Sequence, residues 1–201
     1  YKRQPRDVDD HAKMCIESAI RVHKYINSNA CRKISVVELP ELPMSVGINT
    51  GNVFVGNTGA HARMKYSVLG DGVNLASRVG ELNGRYETTI IISEASSNQP
   101  KVREKFLVRN VDCVTVKGKS VGVKVYEVVC RRARASKHLV EACEKHEEAM
   151  GLYFNRQFQD AVARFDEVLA LKEGDKAAKI LQQRCRSFVE DPPPEDWDGA
   201  D

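Results

Sequence analysis

The period of the apolar residues changes along the chain, and those changes constrain its fold more than any other feature. Between Asp9 and Asn29, Ala12, Ile16, Ala19, Ile20 and Ile26 recur near helical spacing, with Asp9 or Asp10 placed to cap the start. Pro40 and Pro43 then exclude a helix. From Met44 the period drops to two. Met44, Val46 and Ile48 alternate with Ser45, Gly47 and Asn49, and Val53 and Val55 resume the alternation beyond Asn49-Thr50-Gly51-Asn52. This pattern predicts a β-hairpin.

A loop containing Gly56, Asn57 and Gly59 follows, and Lys65 to Leu69 reads as a short strand. Asp71 is placed to cap a helix that runs to Leu82, with Val73, Ala76, Val79 and Leu82 as its buried stripe and Gly84 as its end. Thr88 to Ile92 reads as a strand, Ser93 opens a helical turn that Pro100 closes, and strands are expected over 106–116 and 121–129. Strands and helices in no strict βαβ order predict an α+β fold, one mostly antiparallel sheet with helices on a face.

Past Cys130 the pattern is helical only. Ala149, Leu152, Ala161, Phe165 and Val168 are spaced as in one tetratricopeptide-type helical hairpin that turns at Asn155 to Gln159, and a plain helical hairpin fits equally. Such a unit cannot bury its apolar face alone. It packs on another copy, on the preceding domain or on a partner protein. The organisation read from this is a first domain over 1–129, a linker over 130–139, a helical hairpin over 140–190 and a tail over 191–201. The tail is proline-rich, then acidic, and disordered unless Trp197 docks.

Composition excludes several classes. A net charge of +3 spread over 201 residues does not make a nucleic-acid surface. Six cysteines without a C-x-x-C pair read as free thiols of a reducing compartment. Cys143 and His146 share a helical face, but a zinc site takes about four ligands and no second pair accompanies them. No apolar run reaches the roughly 18 residues of a membrane span. The segment is therefore expected in the cytoplasm, with a membrane anchor upstream left open. Because the first residue is Tyr1, not Met, the chain reads as a piece of a longer protein.

The segment from Tyr66 to Arg78 carries the most chemistry. It sets Asn74 and Arg78, four residues apart, on one helix face directly after a strand and a glycine turn. A guanidinium fork suits phosphate oxygens, and an amide can hold a sugar. Lys117-Gly118-Lys119-Ser120 is not a P-loop: Cys113 stands where the first glycine belongs, and the turn leads into a strand.

Five blocks occur in order: Met44-Ser45-Val46-Gly47-Ile48-Asn49-Thr50-Gly51, Val55-Gly56-Asn57, Tyr66-Ser67-Val68-Leu69-Gly70-Asp71, Val73-Asn74-Leu75-Ala76-Ser77-Arg78 and Val116-Lys117-Gly118-Lys119. Together they closely resemble the class III adenylyl and guanylyl cyclase catalytic domain, over roughly Asp10 to Val129. The resemblance implies a ferredoxin-like α+β catalytic domain, N-terminally truncated, followed by the small C-terminal helical hairpin. It implies a dimer, homo- or heteromeric, with the site between two such domains and ATP as substrate, GTP being the alternative. Catalytic roles fall on Asn74, which would orient the ribose, and Arg78, which would stabilise charge on the α-phosphate. Substrate contacts fall on Ser67, which faces the purine, and Lys117, which reaches the terminal phosphates.

Asp71 matches a structural turn position in that family and is read as a helix cap. Two Mg or Mn ions are implied, with their aspartate ligands upstream of this sequence and no metal ligand within it. A chain of these residues alone is then expected to be inactive. A catalytically silent, regulatory cyclase-like dimerisation module and a scaffold built on the C-terminal helices are the competing readings.

Overall fold

The structure, a computed structural model, describes residues 10–28, 43–60, 63–115 and 122–200. Helix α1 spans His11–Ile26, β1 Val46–Ile48, β2 Phe54–Ala60, β3 Arg63–Leu69 and α2 Asp71–Tyr86. Strand β4 (Ile90–Ser93) is followed by two short helices, α3 (Glu94–Ser97) and α4 (Val102–Lys105). Strands β5 (Phe106–Val114) and β6 (Val123–Arg131) precede three helices: α5 (Lys137–Phe154), α6 (Phe158–Leu171) and α7 (Lys176–Glu190). The irregular stretch expected up to Pro40, and the basic turn around Lys117, lie outside the described residues.

Four strands form one sheet in the order β1-β4-β6-β5, with β1 parallel to β4 and the other two pairings antiparallel. Strand β4 explains how the layers assemble. It is the continuous apolar run Ile90-Ile91-Ile92, which suits a strand covered on both faces. Ile90 and Ile92 join Ala12 and Ile16 of α1, Phe106 and Tyr126 in one core. Ile91 points the other way, into a second core with Leu75 and Val79 of α2, Val111 and Val125. The sheet is thus the middle layer between α1 and α2, an α+β architecture as the periods implied.

The strand pairing differs from the expected hairpin. β1 pairs with β4, and β2 pairs with β3 in a separate two-stranded ribbon, Phe54 opposite Leu69 and Gly56 opposite Ser67. Alternation in sequence reports which residues share a face, and leaves the partner strand open. The stripe of α2 is also rotated from the expected one. Leu75, Val79, Asn83 and Tyr86 are buried, whereas Val73 is exposed. The helix runs through Gly84 and ends at Glu87, whose φ of 53° supplies the left-handed stop.

The C-terminal hairpin expected around Asn155 is present as α5 and α6, and a third helix, α7, follows it. The three enclose their own core, with Met150, Tyr153, Phe158, Phe165 and Leu181 buried. Trp197 packs on that core, its ring 5.1 Å from Tyr153 and 5.4 Å from Phe188, and Asp198 accepts a 2.7 Å hydrogen bond from the Gly122 amide. Among the described residues, no helix is long and apolar enough to cross a membrane.

The unit is joined to the sheet by buried polar groups, not by a free linker. Arg109 on β5 is 3% exposed. It pairs with Glu127 at 2.6 Å on β6 and makes two bonds to Asp175, at 2.5 and 3.1 Å. Asp175 also caps α7 by accepting from the Ala178 amide at 3.0 Å. His146 on α5 lies 2.7 Å from the Asn110 carbonyl through Nε2, which must therefore carry the proton. Its Nδ1 faces the Arg109 guanidinium. Burial, reinforced by the Arg109 charge, holds the His146 pKa down to about 3. Burial of Asp175 favours its neutral form, but Arg109 outweighs this and keeps the carboxyl below the usual carboxylate range.

Both groups make this interface acid-labile. An unfolded His146 takes up a proton near its ordinary value of 6.5, while the folded one stays neutral to about pH 3. Stability is therefore full above about 6.5 and falls by about 1.4 kcal/mol per pH unit as pH drops through that window. Asp175 adds to the loss below its ordinary value of 3.8. Thermal melting followed at 222 nm from pH 7.5 to 4 should show a falling midpoint, with a shallower slope in His146→Gln. Equal slopes would show that His146 is not the group responsible.

Candidate active site

The four candidate residues sit on elements joined through one glycine. β3 carries Ser67, Gly70 makes the turn with φ of 150°, and α2 begins at Asp71. That backbone conformation disfavours a side chain and selects glycine. Asp71 does not act as the cap. Gly70 occupies the cap position without a side-chain bond, and Asp71 stands in the first turn, where a carboxylate meets the positive end of the helix.

Asn74 and Arg78 follow one turn apart, both exposed. Among the described residues neither has a hydrogen-bond or ion-pair partner, so their amide and guanidinium are available to a ligand. Ser67 is half-buried on β3, and its register partner is Gly56. Paired residues lie on the same face of a ribbon. A Cβ added at Gly56 would meet nothing within 4 Å, so the cross-strand position facing Ser67 is empty. Lys117 lies outside the described residues.

Helix α2 is held at three points along β1. In the middle, Gly47 and Gly80 touch backbone to backbone: a Cβ on Gly47 would stand 2.7 Å from the Gly80 Cα and would also run into the Ala76 carbonyl oxygen. At its start, Asn49 accepts from Ser93 Oγ at 2.7 Å and donates to the Gly72 carbonyl at 3.1 Å. Near its end, Asn83 donates to the Val46 carbonyl at 3.1 Å and accepts from Thr88 at 2.9 Å. Gly47 and Asn49 stand in the first of the five blocks, whereas Gly80 and Asn83 lie outside them all. The available signal was Asn83 itself, a polar residue four beyond Val79 on the buried stripe.

Among the described residues, two hollows near α2 and the sheet can be compared with these positions. A cavity of about 480 Å³ lies between the end of α1, β4 and β6, lined by Ile20, Lys24, Thr89 and Arg131 among others, and none of the candidates reaches it. A groove of about 490 Å³ along α2 is lined by Gly47, Ser77, Gly80 and Glu81, again without Asn74 or Arg78. The exposed helix face they occupy needs a second surface to become a site. Nor do the donors present suit the two divalent ions implied by the resemblance. Among the described residues, no group of three or more His, Cys, Asp or Glu side chains comes together to hold a metal ion.

The family profile described as the adenylate and guanylate cyclase catalytic domain matches residues 2–130. A terminal-differentiation-specific adenylate cyclase of Dictyostelium discoideum is 32% identical over 172 residues, 85% of this chain and 8% of its own length. Adenylate cyclase 1 of Rhizobium meliloti is 36% identical over 120 residues, 59% of this chain and 17% of its own length. The chain thus spans less than a fifth of these curated relatives. Among solved structures, the adenylyl cyclase CyaB from P. aeruginosa superposes with a TM-score of 0.53 at 28% identity, over 67% of each chain.

The Gly47 contact generates a stability test. Gly47→Ala should lower stability by about 3 kcal/mol, at the upper end for overpacking because both opposing groups are backbone. Urea unfolding checks this, and a midpoint equal to the parent's would mean that α2 sits farther from β1.

Proposed function

The chain belongs to the adenylate and guanylate cyclase catalytic-domain family, and on that premise we propose that it supplies the substrate-handling half of a site that converts ATP to cyclic AMP and pyrophosphate. In that reaction the ribose 3′-oxygen attacks the α-phosphorus. The new P–O bond forms as the bond to the β-phosphate oxygen breaks, and the hydroxyl proton leaves to solvent or a base. The observation that carries the reading is the exposed pair Asn74 and Arg78, without a partner among the described residues, on a helix anchored by backbone contact one strand-to-helix turn from Ser67.

In this reading Asn74 holds the ribose so that the 3′-oxygen points at phosphorus, and Arg78 meets charge developing on the α-phosphate. The Ser67 hydroxyl accepts from the adenine amino group, although it could equally donate to a guanine carbonyl, so GTP is the alternative substrate. Lys117 contacts the terminal phosphates. The divalent ions of the family would neutralise the triphosphate, and their ligands would come from residues other than those described here.

The second surface that the exposed helix face needs is read as another cyclase domain, identical or not. The β2–β3 ribbon supports this. Phe54 is 83% exposed and Tyr66 62%, and Met64, Val68 and Leu69 are exposed beside them. Apolar side chains on a ribbon outside the main sheet suit burial against a partner. The second reading is a regulatory module that dimerises without catalysis, which differs from the first in lacking the upstream aspartate ligands.

Assay of the full-length gene product with manganese, and ATP and GTP in parallel, decides between these. Cyclic AMP confirms the enzyme and the Ser67 reading, cyclic GMP confirms the enzyme alone, and neither product leaves the regulatory reading. Within an active enzyme, Arg78→Ala should lower turnover by about two orders of magnitude without loss of fold; near-normal turnover removes Arg78 from the mechanism. Exchanging Ser67 for Asp or Cys should move the ATP-to-GTP preference, and unchanged selectivity places purine reading elsewhere.

A further inference from the structure

Helix α2 carries Asn74 and Arg78 near its start and ends at Tyr86, which is buried beneath the C-terminal helices. The Tyr86 hydroxyl donates to Asp112 Oδ2 on β5 at 2.6 Å. Arg184 of α7, itself buried, donates to Asp112 Oδ1 at 3.0 Å, to the Tyr153 hydroxyl at 3.2 Å and to the Tyr86 hydroxyl at 3.5 Å. Burial, and the neighbouring Asp112 carboxylate, push the Tyr86 phenol well above its ordinary value, so it remains a protonated donor. Apolar contacts run in parallel. Ala177 of α7 is fully buried in the core that contains Leu75, Val79 and Tyr86, with Ile180 packed beside it. Lys176 reaches Glu87, the residue that ends α2, at 3.8 Å.

The geometry points to the three C-terminal helices as the positioning element of the cyclase site, acting on α2 through the Arg184–Asp112–Tyr86 link. This rests on the reading of Asn74 and Arg78 given above. The Gly80 contact with Gly47 lies between Arg78 and Tyr86 in the helix, so it is a fulcrum: what holds the Tyr86 end, together with Asn49 on the Gly72 carbonyl, sets the attitude of the other end. Arg78 and Tyr86 are eight residues apart, roughly 12 Å of stiff helix. Tyr86, Asp112 and Arg184 are positioning residues, and none of them touches substrate.

Two deletions of one hydroxyl each separate positioning from simple stability. Tyr86→Phe keeps the ring and the Arg184–Asp112 pair but cuts the bond to α2. Tyr153→Phe removes a bond to the same Arg184 on the side of the helical unit alone. Each should lower stability by a similar small amount, which thermal melting verifies. In the full-length enzyme, Tyr86→Phe should lower kcat about five- to tenfold with KM nearly unchanged, since misplacement of a transition-state group costs rate. Tyr153→Phe should leave kcat within about twofold of the parent. In an Arg78→Ala background Tyr86→Phe should lower kcat by less than in the parent, because part of its effect runs through the missing guanidinium and only Asn74 remains to be misplaced.

Equal losses in the two variants, or full additivity with Arg78→Ala, would overturn the inference. If the parent makes no cyclic nucleotide from ATP or GTP, the cyclase reading fails on its own. The link is then decided on this chain by hydrogen exchange. Faster exchange of α2 amides in Tyr86→Phe than in Tyr153→Phe sustains it, and equal exchange sinks it.

Discussion

The approach of α2 to β1, with Gly47 against Gly80, is the contact on which the candidate site depends. Any side chain at Gly47 would meet helix backbone, which cannot move aside as a flexible side chain can. The contact fixes the height of the helix above the sheet. Asn49 and Asn83 then fix its rotation by bonding backbone carbonyls at either end. With height and rotation set, Leu75 and Val79 face the sheet, and the residues one position before them, Asn74 and Arg78, are carried to the outer surface. The functional face is thus a consequence of how the buried face is seated.

A different kind of interaction holds the C-terminal helices. Their junction with the sheet is built from charges with little exposure: Arg109 with Glu127 and Asp175, and Arg184 with Asp112. Such pairs add little net stability over apolar packing, yet losing one partner costs about 3–5 kcal/mol because a buried charge is left alone. Their effect is directional. An apolar surface can slide, whereas Asp175, which caps α7 and binds both nitrogens of the Arg109 fork, admits one arrangement. A helical unit so registered can carry mechanical information to α2, which an appendage on a loose linker cannot.

The two halves of the chain meet the rest of the protein differently. The helical unit completes its own core and spends its polar face on the sheet. The β2–β3 ribbon shows exposed aromatic and aliphatic groups, and the outer face of α2 an amide and a guanidinium without partners among the described residues. Both surfaces suit the second domain proposed above, and neither the cavity beside α1 nor the groove along α2 is lined by Asn74 or Arg78.

Much of this was legible in the residues, and what was not has a physical reason. Local period marked the helices and strands, so the α+β class, the strand-to-helix step at Gly70 and the helical C-terminal region could be read directly. The ordered blocks around Gly47, Ser67, Asn74 and Lys117 carried the family, because several motifs in a fixed order are far more specific than any one of them. Pairing was not legible: β1 joins β4, 44 residues away in register, and alternation says nothing about such distances. The rotation of α2 was misjudged by about one residue because Val73 and Leu75 are equally apolar, and only Gly80 on Gly47 decides between them. Where the C-terminal helices dock was also open, since Arg109, Asp112, Asp175 and Arg184 are charged residues whose burial and pairing with one another only the tertiary fold brings about.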